Sequence, residues 1–204
     1  MNKEIVILGS GGHTRSLIVI LESYGFLIKG IYDNSFDIKN KEFINGYELV
    51  GKIDAIKEEY NLVLSIGDNV QREIYFEKYY KQIAKDNLIH PKALIEKRVD
   101  IGCSNQFFAN IYINSNVIIG NNNIINTSCI IEHEAIIGNH NHISIGAVLC
   151  GRVNIGSCCF IGAGAVVIDK VKICDNVIVG ANSVVIKNIT EPGTYVGNPV
   201  RRVK

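Results

Sequence analysis

The chain has 204 residues, 47% of them hydrophobic, and 21 Lys and Arg against 20 Asp and Glu leave a net charge of +1. That balance gives no concentrated basic patch for nucleic acid or an anionic membrane surface, and the apolar content excludes wholesale disorder. The apolar run at residues 5–8 stops at Gly9, too short for a signal peptide or a membrane span. Six cysteines without a C-x-x-C pair read as reduced thiols, so a cytoplasmic protein is expected.

Residues 4–8 (EIVIL) read as a buried parallel strand ending in glycines. Residues 14–24 carry Leu17, Ile18, Ile20 and Leu21 at helical spacing and stop at Gly25. A second strand is predicted over 27–32, ending at Asp33-Asn34, and a helix over 54–60. A third strand over 62–66 ends at Gly67-Asp68-Asn69, and an amphipathic helix follows over 70–85. This β-α-β-α-β order predicts a small parallel sheet in a domain over 1–85, because each parallel crossover needs a helix to return the chain.

From Ile89 the period changes, and a second domain over 86–204 is expected. Every sixth residue from Ile89 through Phe107, Ile131, Leu149 and Val167 to Val185 is large and apolar, seventeen in succession. Such a run reads as a hexapeptide β-solenoid that buries its core by stacking coil on coil. Gly or Asn often follows each of these residues, as at Gly102, Asn114, Gly120, Asn126, Gly138, Gly156, Gly162 and Gly180, and is expected to supply left-handed corners. Four positions after each, small or β-branched residues such as Ala93, Val117, Ala135, Ala165 and Ser183 fit a narrow interior.

His133-Glu134 is the first candidate for chemistry. An imidazole titrates near working pH and suits a general base that takes a proton from an attacking amine or hydroxyl. The bland alternative is a surface histidine beside an acid. Gly9-x-Gly11-Gly12-His13 opens the first helix, where glycines let backbone approach a phosphate. Thr14 breaks the G-x-G-x-x-G dinucleotide fingerprint, which weighs against a dehydrogenase and leaves a plain strand-helix turn as the alternative. His90 is assigned to the domain junction and His140 to an exposed turn. Arg201, Arg202 and Lys204 read as a basic tail that is either solvated or near ligand phosphates.

The solenoid resembles the left-handed parallel β-helix of hexapeptide acyltransferases. With the preceding half domain, the whole chain resembles the sugar acetyltransferase family of bacterial nucleotide-4-amino-sugar N-acetyltransferases and sialic-acid O-acetyltransferases. The resemblance rests on Gly9-Ser10-Gly11-Gly12-His13, Ile89-His90-Pro91, Asn126-Thr127-Ser128, Glu132-His133-Glu134, His142-Ile143-Ser144 and Gly197-Asn198-Pro199. It implies a Rossmann-like half domain followed by the β-helix, acetyl-CoA as cosubstrate, no metal, and a homotrimer. It also implies His133 as general base with Glu134 raising its basicity, and acetyl-CoA contacts at His142, Ala163 and Ala181. Gly151 is implied to polarise the thioester carbonyl through its amide, and Gly11, Gly12, His13, Asp33, Asn34 and Gly67 to hold a nucleotide-sugar. The leading expectation is N-acetylation of a UDP- or TDP-linked 4-amino-4,6-dideoxy sugar. Sialic-acid or other sugar O-acetylation is the alternative. A γ-type carbonic anhydrase using His133, His140 and His142, and a non-enzymatic sugar-nucleotide-binding solenoid, stand further off.

Overall fold

The computed structural model describes residues 4–204 and divides at Lys85/Asp86 into two compact units. In the first, β1 (Glu4–Leu8), β2 (Leu27–Tyr32), β4 (Tyr47–Gly51) and β5 (Asn61–Leu64) run parallel, with β3 (Phe43–Ile44) antiparallel on the outer edge. The order β3-β4-β2-β1-β5 puts β1 inside, flanked by β2 and β5, and its residues Ile5, Val6, Ile7 and Leu8 are all buried. Helix α1 (Gly12–Ser23) buries Leu17, Ile18, Ile20 and Leu21, the face read from the sequence.

Three details depart from the sequence reading. The stretch before residue 54 contains the β3–β4 hairpin, turned by Asn45 and Gly46 at φ 48° and 87°. An Asn-Gly pair with both residues left-handed matches the twist of the flanking strands. The helix expected over 54–60 is only a 3-10 turn, Ile53–Ala55. Helix α2 (Asn69–Lys78) ends about two turns before the predicted limit. Beyond it the chain returns to the sheet, where the Leu62 amide donates to Gln82 O at 2.9 Å and the Ala84 amide to Leu62 O at 2.9 Å.

The second unit is a parallel β-helix of two-residue strands on three faces. The first face stacks Leu88–Ile89, Gln106–Phe107, Ile124–Ile125, His142–Ile143, Phe160–Ile161 and Val177–Val179. The second stacks Leu94–Ile95, Tyr112–Ile113, Ile130–Ile131, Val148–Leu149, Val166–Val167 and Val184–Val185. The third stacks Asp100–Ile101, Ile118–Ile119, Ile136–Ile137, Asn154–Ile155 and Lys172–Ile173. From Phe107 to Val185 every hexad residue named above is buried, and Val117, Ala135, Ala165 and Ser183 fill the interior beside them. Each large residue is therefore a layer of one continuous core, and truncating one to Ala costs about 2–5 kcal/mol. A Rossmann-like half domain followed by a left-handed parallel β-helix is thus the fold of this chain.

The corner assignment is corrected. The left-handed residues lie three positions after each large one, as at Asn110 (φ 58°), Asn116 (φ 61°) and Ser128 (φ 60°). The glycines directly after the large residue serve stacking instead. A β-carbon on Gly120 would stand 2.7 Å from Gly138 O, and one on Gly162 would stand 2.6 Å from the Ala181 amide nitrogen. Any side chain there would push successive coils apart.

Inside the coils, Asn105, Asn123 and Asn141 form a buried ladder in which each Oδ1 accepts the backbone N–H one coil on, at 2.8 Å, 2.8 Å and 2.7 Å. His140 is not on an exposed turn: it is buried, with Nδ1 2.9 Å from Asn122 Nδ2. The basic tail is not free either. Val200–Arg202 pairs antiparallel with Gly193–Gly197, and Arg202 bonds Glu191 and the Pro192 carbonyl.

Candidate active site

In the first unit the loops leaving β1, β2, β4 and β5 line one cavity of about 350 Å³, at the carboxyl ends of the strands where open α/β sheets take ligands. Gly9, Gly11, Asp33, Asn34, Ile66, Gly67 and Tyr75 are among its walls. Gly9 is needed there: its φ is +107°, and a β-carbon would stand 2.9 Å from the Ser65 carbonyl carbon. Thr14 Oγ1 donates to Gly9 O at 2.9 Å and Ser65 Oγ to Thr14 Oγ1 at 2.9 Å, tying the β1 loop to the β5 loop. Fully buried Arg72 donates to the carbonyls of Ile66 and Gly67 at 3.0 Å and 3.3 Å, fixing the opposite wall. Burial alone would push the Asp33 carboxyl up, but hydrogen bonds from Ser35 and Ser10 hold it below its ordinary value. It is a carboxylate at neutral pH, aimed by the Ser10 amide at 2.9 Å.

Of the residues expected around a nucleotide-sugar, Gly11, Asp33, Asn34 and Gly67 meet in this cavity. Gly12 and His13 do not line it; they form the first turn of α1. Ile53, Ser65, Gln71 and Tyr75 also line it and were not singled out from the sequence, while Ser10 and Asp68 were quoted only within longer motifs.

In the second unit His133 stands at the edge between the second and third faces. Its Nδ1 is 3.1 Å from Glu134 Oε2, and Glu134 is held left-handed at φ 59°. With that carboxylate accepting from Nδ1–H, Nε2 keeps its lone pair. One coil on at the same edge lies Gly151. A β-carbon there would stand 2.7 Å from both Cε1 and Nε2 of His133 and 3.2 Å from Asp169 Oδ1. Among the described residues none accepts from the Gly151 amide, whereas the equivalent Ser115 amide is satisfied by Asn114 Oδ1 at 2.7 Å. A nitrogen lone pair and an unused N–H donor at one glycine are what proton removal and oxyanion stabilisation require. One to two coils before His133 at this edge, Glu96, Lys97, Arg98, Tyr112, Asn114 and Ser115 line a second cavity of about 370 Å³.

The other expected cosubstrate residues lie elsewhere on the same chain. His142 projects from the first face, with Nε2 3.2 Å from Asn126 Nδ2 and its ring edge-on to Phe160 at 5.1 Å. Ala163 and Ala181 sit one coil apart at the edge between the first and second faces. The three histidines weighed as zinc ligands are thus dispersed over an edge, a buried corner and a face. Among the described residues no His, Cys, Asp and Glu group converges as a metal site.

Residues 4–79 match the sequence family of the PglD N-terminal domain, and residues 152–187 match that of the bacterial transferase hexapeptide repeats. PerB from Caulobacter crescentus, solved with CoA and GDP-perosamine, is 29% identical, with a TM-score of 0.90 over 98% of this chain and 97% of that one. The acetyltransferase domain of PglB from Neisseria gonorrhoeae (24% identity, TM-score 0.90, 99% and 100% of the two chains) shares the fold. So does WeeI from Acinetobacter baumannii (24%, 0.86, 98% and 100%). No curated protein sequence matches. The whole chain is similar to the hexapeptide-repeat sugar acetyltransferases.

It is therefore an acyltransferase, and its sequence read ahead of the structure missed parts of this edge. Glu132, quoted only as part of a motif, accepts from Asn114 Nδ2 at 2.7 Å, next in sequence to His133. Cys150 precedes Gly151; burial and then the charges of Asp169 and Glu132 push its thiol pKa up. A protonated sulfur therefore stands next to Gly151 at neutral pH. Arg152 and Asp169, joined by a paired hydrogen bond, carried no sequence signal because their partnership spans one coil.

Proposed function

We propose that this acyltransferase moves the acetyl group of acetyl-CoA to the amino group of a nucleotide-linked 4-amino-4,6-dideoxy sugar, with His133 as general base. The Gly151 edge carries this reading. The acceptor ammonium first gives one proton to solvent. The neutral amine then attacks the thioester carbon as Nε2 of His133 takes a second proton. The Gly151 N–H stabilises the developing oxyanion. When the C–S bond breaks, the imidazolium returns its proton to the CoA thiolate. Glu134 holds the ring in the tautomer that can accept.

The cavity around Asp33 and Gly67 is assigned to the nucleotide end of the acceptor. Acetyl-CoA and the nucleotide-sugar class come to this chain from PerB, crystallised with CoA and GDP-perosamine; variants of that enzyme with a histidine replaced by Asn or Ala were solved with the same pair. The working form is assigned as a homotrimer in the cytoplasm. His133 and Gly151 occupy one edge of the β-helix and Ala163 and Ala181 another, so one chain presents only part of a cosubstrate groove. Between those edges the outward residues Leu94, Tyr112, Ile130, Val148, Val166 and Val184 form an apolar stripe suited to a second copy. All six cysteines are free thiols.

The test is an acceptor panel: GDP-, UDP- and TDP-linked 4-amino-4,6-dideoxy sugars and free sialic acid, each with acetyl-CoA, read by mass spectrometry. Mono-N-acetylation of an amino-sugar nucleotide is expected. Acetylation of sialic acid alone would refute N-transfer.

A further inference from the structure

We infer that the second-unit cavity of about 370 Å³, lined by Glu96, Lys97, Arg98, Tyr112, Asn114 and Ser115, takes the acceptor's sugar and the phosphate that carries it. The inference rests on the N-acetyltransferase reading. Leu94, Tyr112 and Ile130 pair directly in register on the second face, so the coils stack residue over residue. Glu96, Asn114 and Glu132 therefore form one column at the edge, and Lys97, Ser115 and His133 the next. Backbone bonds lock that register: the Glu96 amide donates to Ile113 O at 2.9 Å and the Glu134 amide to Ser115 O at 3.2 Å. Parallel strands stack about 4.8 Å apart, so along the axis the backbone of His133 lies about 5 Å from Ser115 and about 10 Å from Lys97.

The walls change in character along that line. Farthest from His133 are two cations. Arg98 is held left-handed at φ 63°, as Glu134 is at φ 59° two coils on, so their Cα–Cβ bonds leave the edge in the same direction. Among the described residues no carboxylate pairs with Lys97 or Arg98, whereas Arg152, at the same corner, is spent on Asp169. Nearer to the base the wall is neutral. Asn114 gives one amide hydrogen to Glu132 Oε2 at 2.7 Å and keeps the other, while its Oδ1 accepts the Ser115 N–H at 2.7 Å. Tyr112, where the apolar stripe meets the edge, brings a ring and a phenol. Burial and then the charges of Glu96 and Glu132 push that phenol's pKa up, so it stays protonated. A ring face, an amide N–H, two hydroxyls and the Glu96 carboxylate suit a pyranose, whose C–H faces are apolar and whose hydroxyls donate and accept.

The acceptor carries its groups in the same order. The nitrogen on C4 and the phosphate on C1 lie at opposite ends of the pyranose. With the amine at Nε2 of His133, the ring falls beside Asn114 and Ser115 and the phosphate at Lys97 and Arg98. Guanidinium and ammonium groups are strong donors to phosphate oxygens. CoA also carries phosphates, but its whole pantetheine arm separates them from the thioester carbon, too long a spacer for two coils. The cations therefore go with the acceptor. They position it, and His133 performs the transfer.

Calorimetry and steady-state kinetics on the full-length protein test this. The probes are GDP- and UDP-linked 4-amino-4,6-dideoxy sugars, CoA, and GMP and UMP, which stop short of the phosphate that bears the sugar. Arg98→Ala and Lys97→Ala are each expected to weaken the sugar nucleotides about tenfold, the loss of a charge-assisted hydrogen bond, with Arg98→Lys recovering part. The change should appear in KM, with kcat within about threefold because the base is untouched. GMP, UMP and CoA should stay within about twofold, as should every ligand in Lys172→Ala, which removes one exposed charge from the third face. Unchanged acceptor affinity, a loss shared by the monophosphates or by Lys172→Ala, or a loss that falls on CoA would each overturn the inference. Wild-type acetylation of the amino sugar would still leave the parent reading standing. A wild type that acetylates no amino-sugar nucleotide removes that reading, and this inference with it.

Discussion

The imidazole of His133 lies across the α-carbon of Gly151, so close that a β-carbon on that glycine would meet Cε1 and Nε2 at 2.7 Å. Ring atoms at that separation cannot tolerate a methyl group, and the ring is held from its other side by Glu134. Gly151→Ala should therefore swing the base away without disturbing the stack, since position 151 lies at a corner and not in the core. Turnover is expected to fall about 10²- to 10³-fold, the range for losing a placed catalytic group. Thermal melting should move by no more than a few degrees. A variant of unchanged turnover would show that the ring does not work from this position.

Replacing the base gives the larger effect. His133→Ala should lower turnover by about 10²- to 10⁴-fold with modest change in acetyl-CoA affinity. Glu134→Gln should cost less, because an amide still bonds Nδ1 without adding charge. Steady-state kinetics under saturating substrates measure both, and near wild-type turnover in His133→Ala would refute the mechanism.

The β-helix was legible because its constraint is local and repeated: one large residue per hexad, from Phe107 onward buried without a break. The strand ends were legible for a similar reason, since Gly9, Asp33 and Gly67 punctuate apolar runs. What the sequence hid depends on residues about 18 apart. Gly120 looks like a turn residue and is in fact a stacking contact with Gly138, and His140 looks exposed yet lies beneath Asn122. The Arg152–Asp169 pair belongs to the same class. The shortened α2 has another cause: tertiary pairing of residues 82–84 with Leu62 outcompetes a helical pattern that runs on in the sequence.

The two glycine positions in the β1 loop should respond differently. Gly9→Ala puts a side chain on a residue at φ +107° against Ser65 and should destabilise the first unit by roughly 1–3 kcal/mol. A β-carbon on Gly11 meets nothing within 4 Å, so Gly11→Val should fold normally yet fill the cavity mouth. Nucleotide-sugar affinity should drop in Gly11→Val while acetyl-CoA affinity holds. Denaturant melts and calorimetry separate the two; equal loss of both ligands would place the acceptor elsewhere.

Ile130 is exposed at the middle of the apolar stripe on the second face, and its neighbour Ile131 carries the core. Ile130→Asp should therefore spare the solenoid and disrupt a partner packed on that face. Light scattering should find the wild type trimeric and the variant smaller, with activity lost in parallel. A fully active wild-type monomer would refute the shared groove.

Cys150 gives a pH-dependent signature of the site's charge. Burial is the main reason its thiol titrates above the ordinary cysteine range, and the negative charges of Asp169 and Glu132 add to it. The sign follows directly: a raised pKa means less thiolate at any given pH below it, so alkylation at neutral pH should be slower than for an unperturbed cysteine. The rate should climb as pH passes above the ordinary range. Removing either carboxylate withdraws a repulsion that disfavours the thiolate, so Asp169→Asn and Glu132→Gln should each move the alkylation profile to lower pH. Cys129 and Cys159, buried and pushed to about 12, should stay unmodified throughout while the protein is folded. Mass-spectrometric mapping of iodoacetamide labelling against pH checks all three sites. A Cys150 that labels fastest at neutral pH would mean that its sulfur is not enclosed beside Gly151 and does not feel the charges of Asp169 and Glu132.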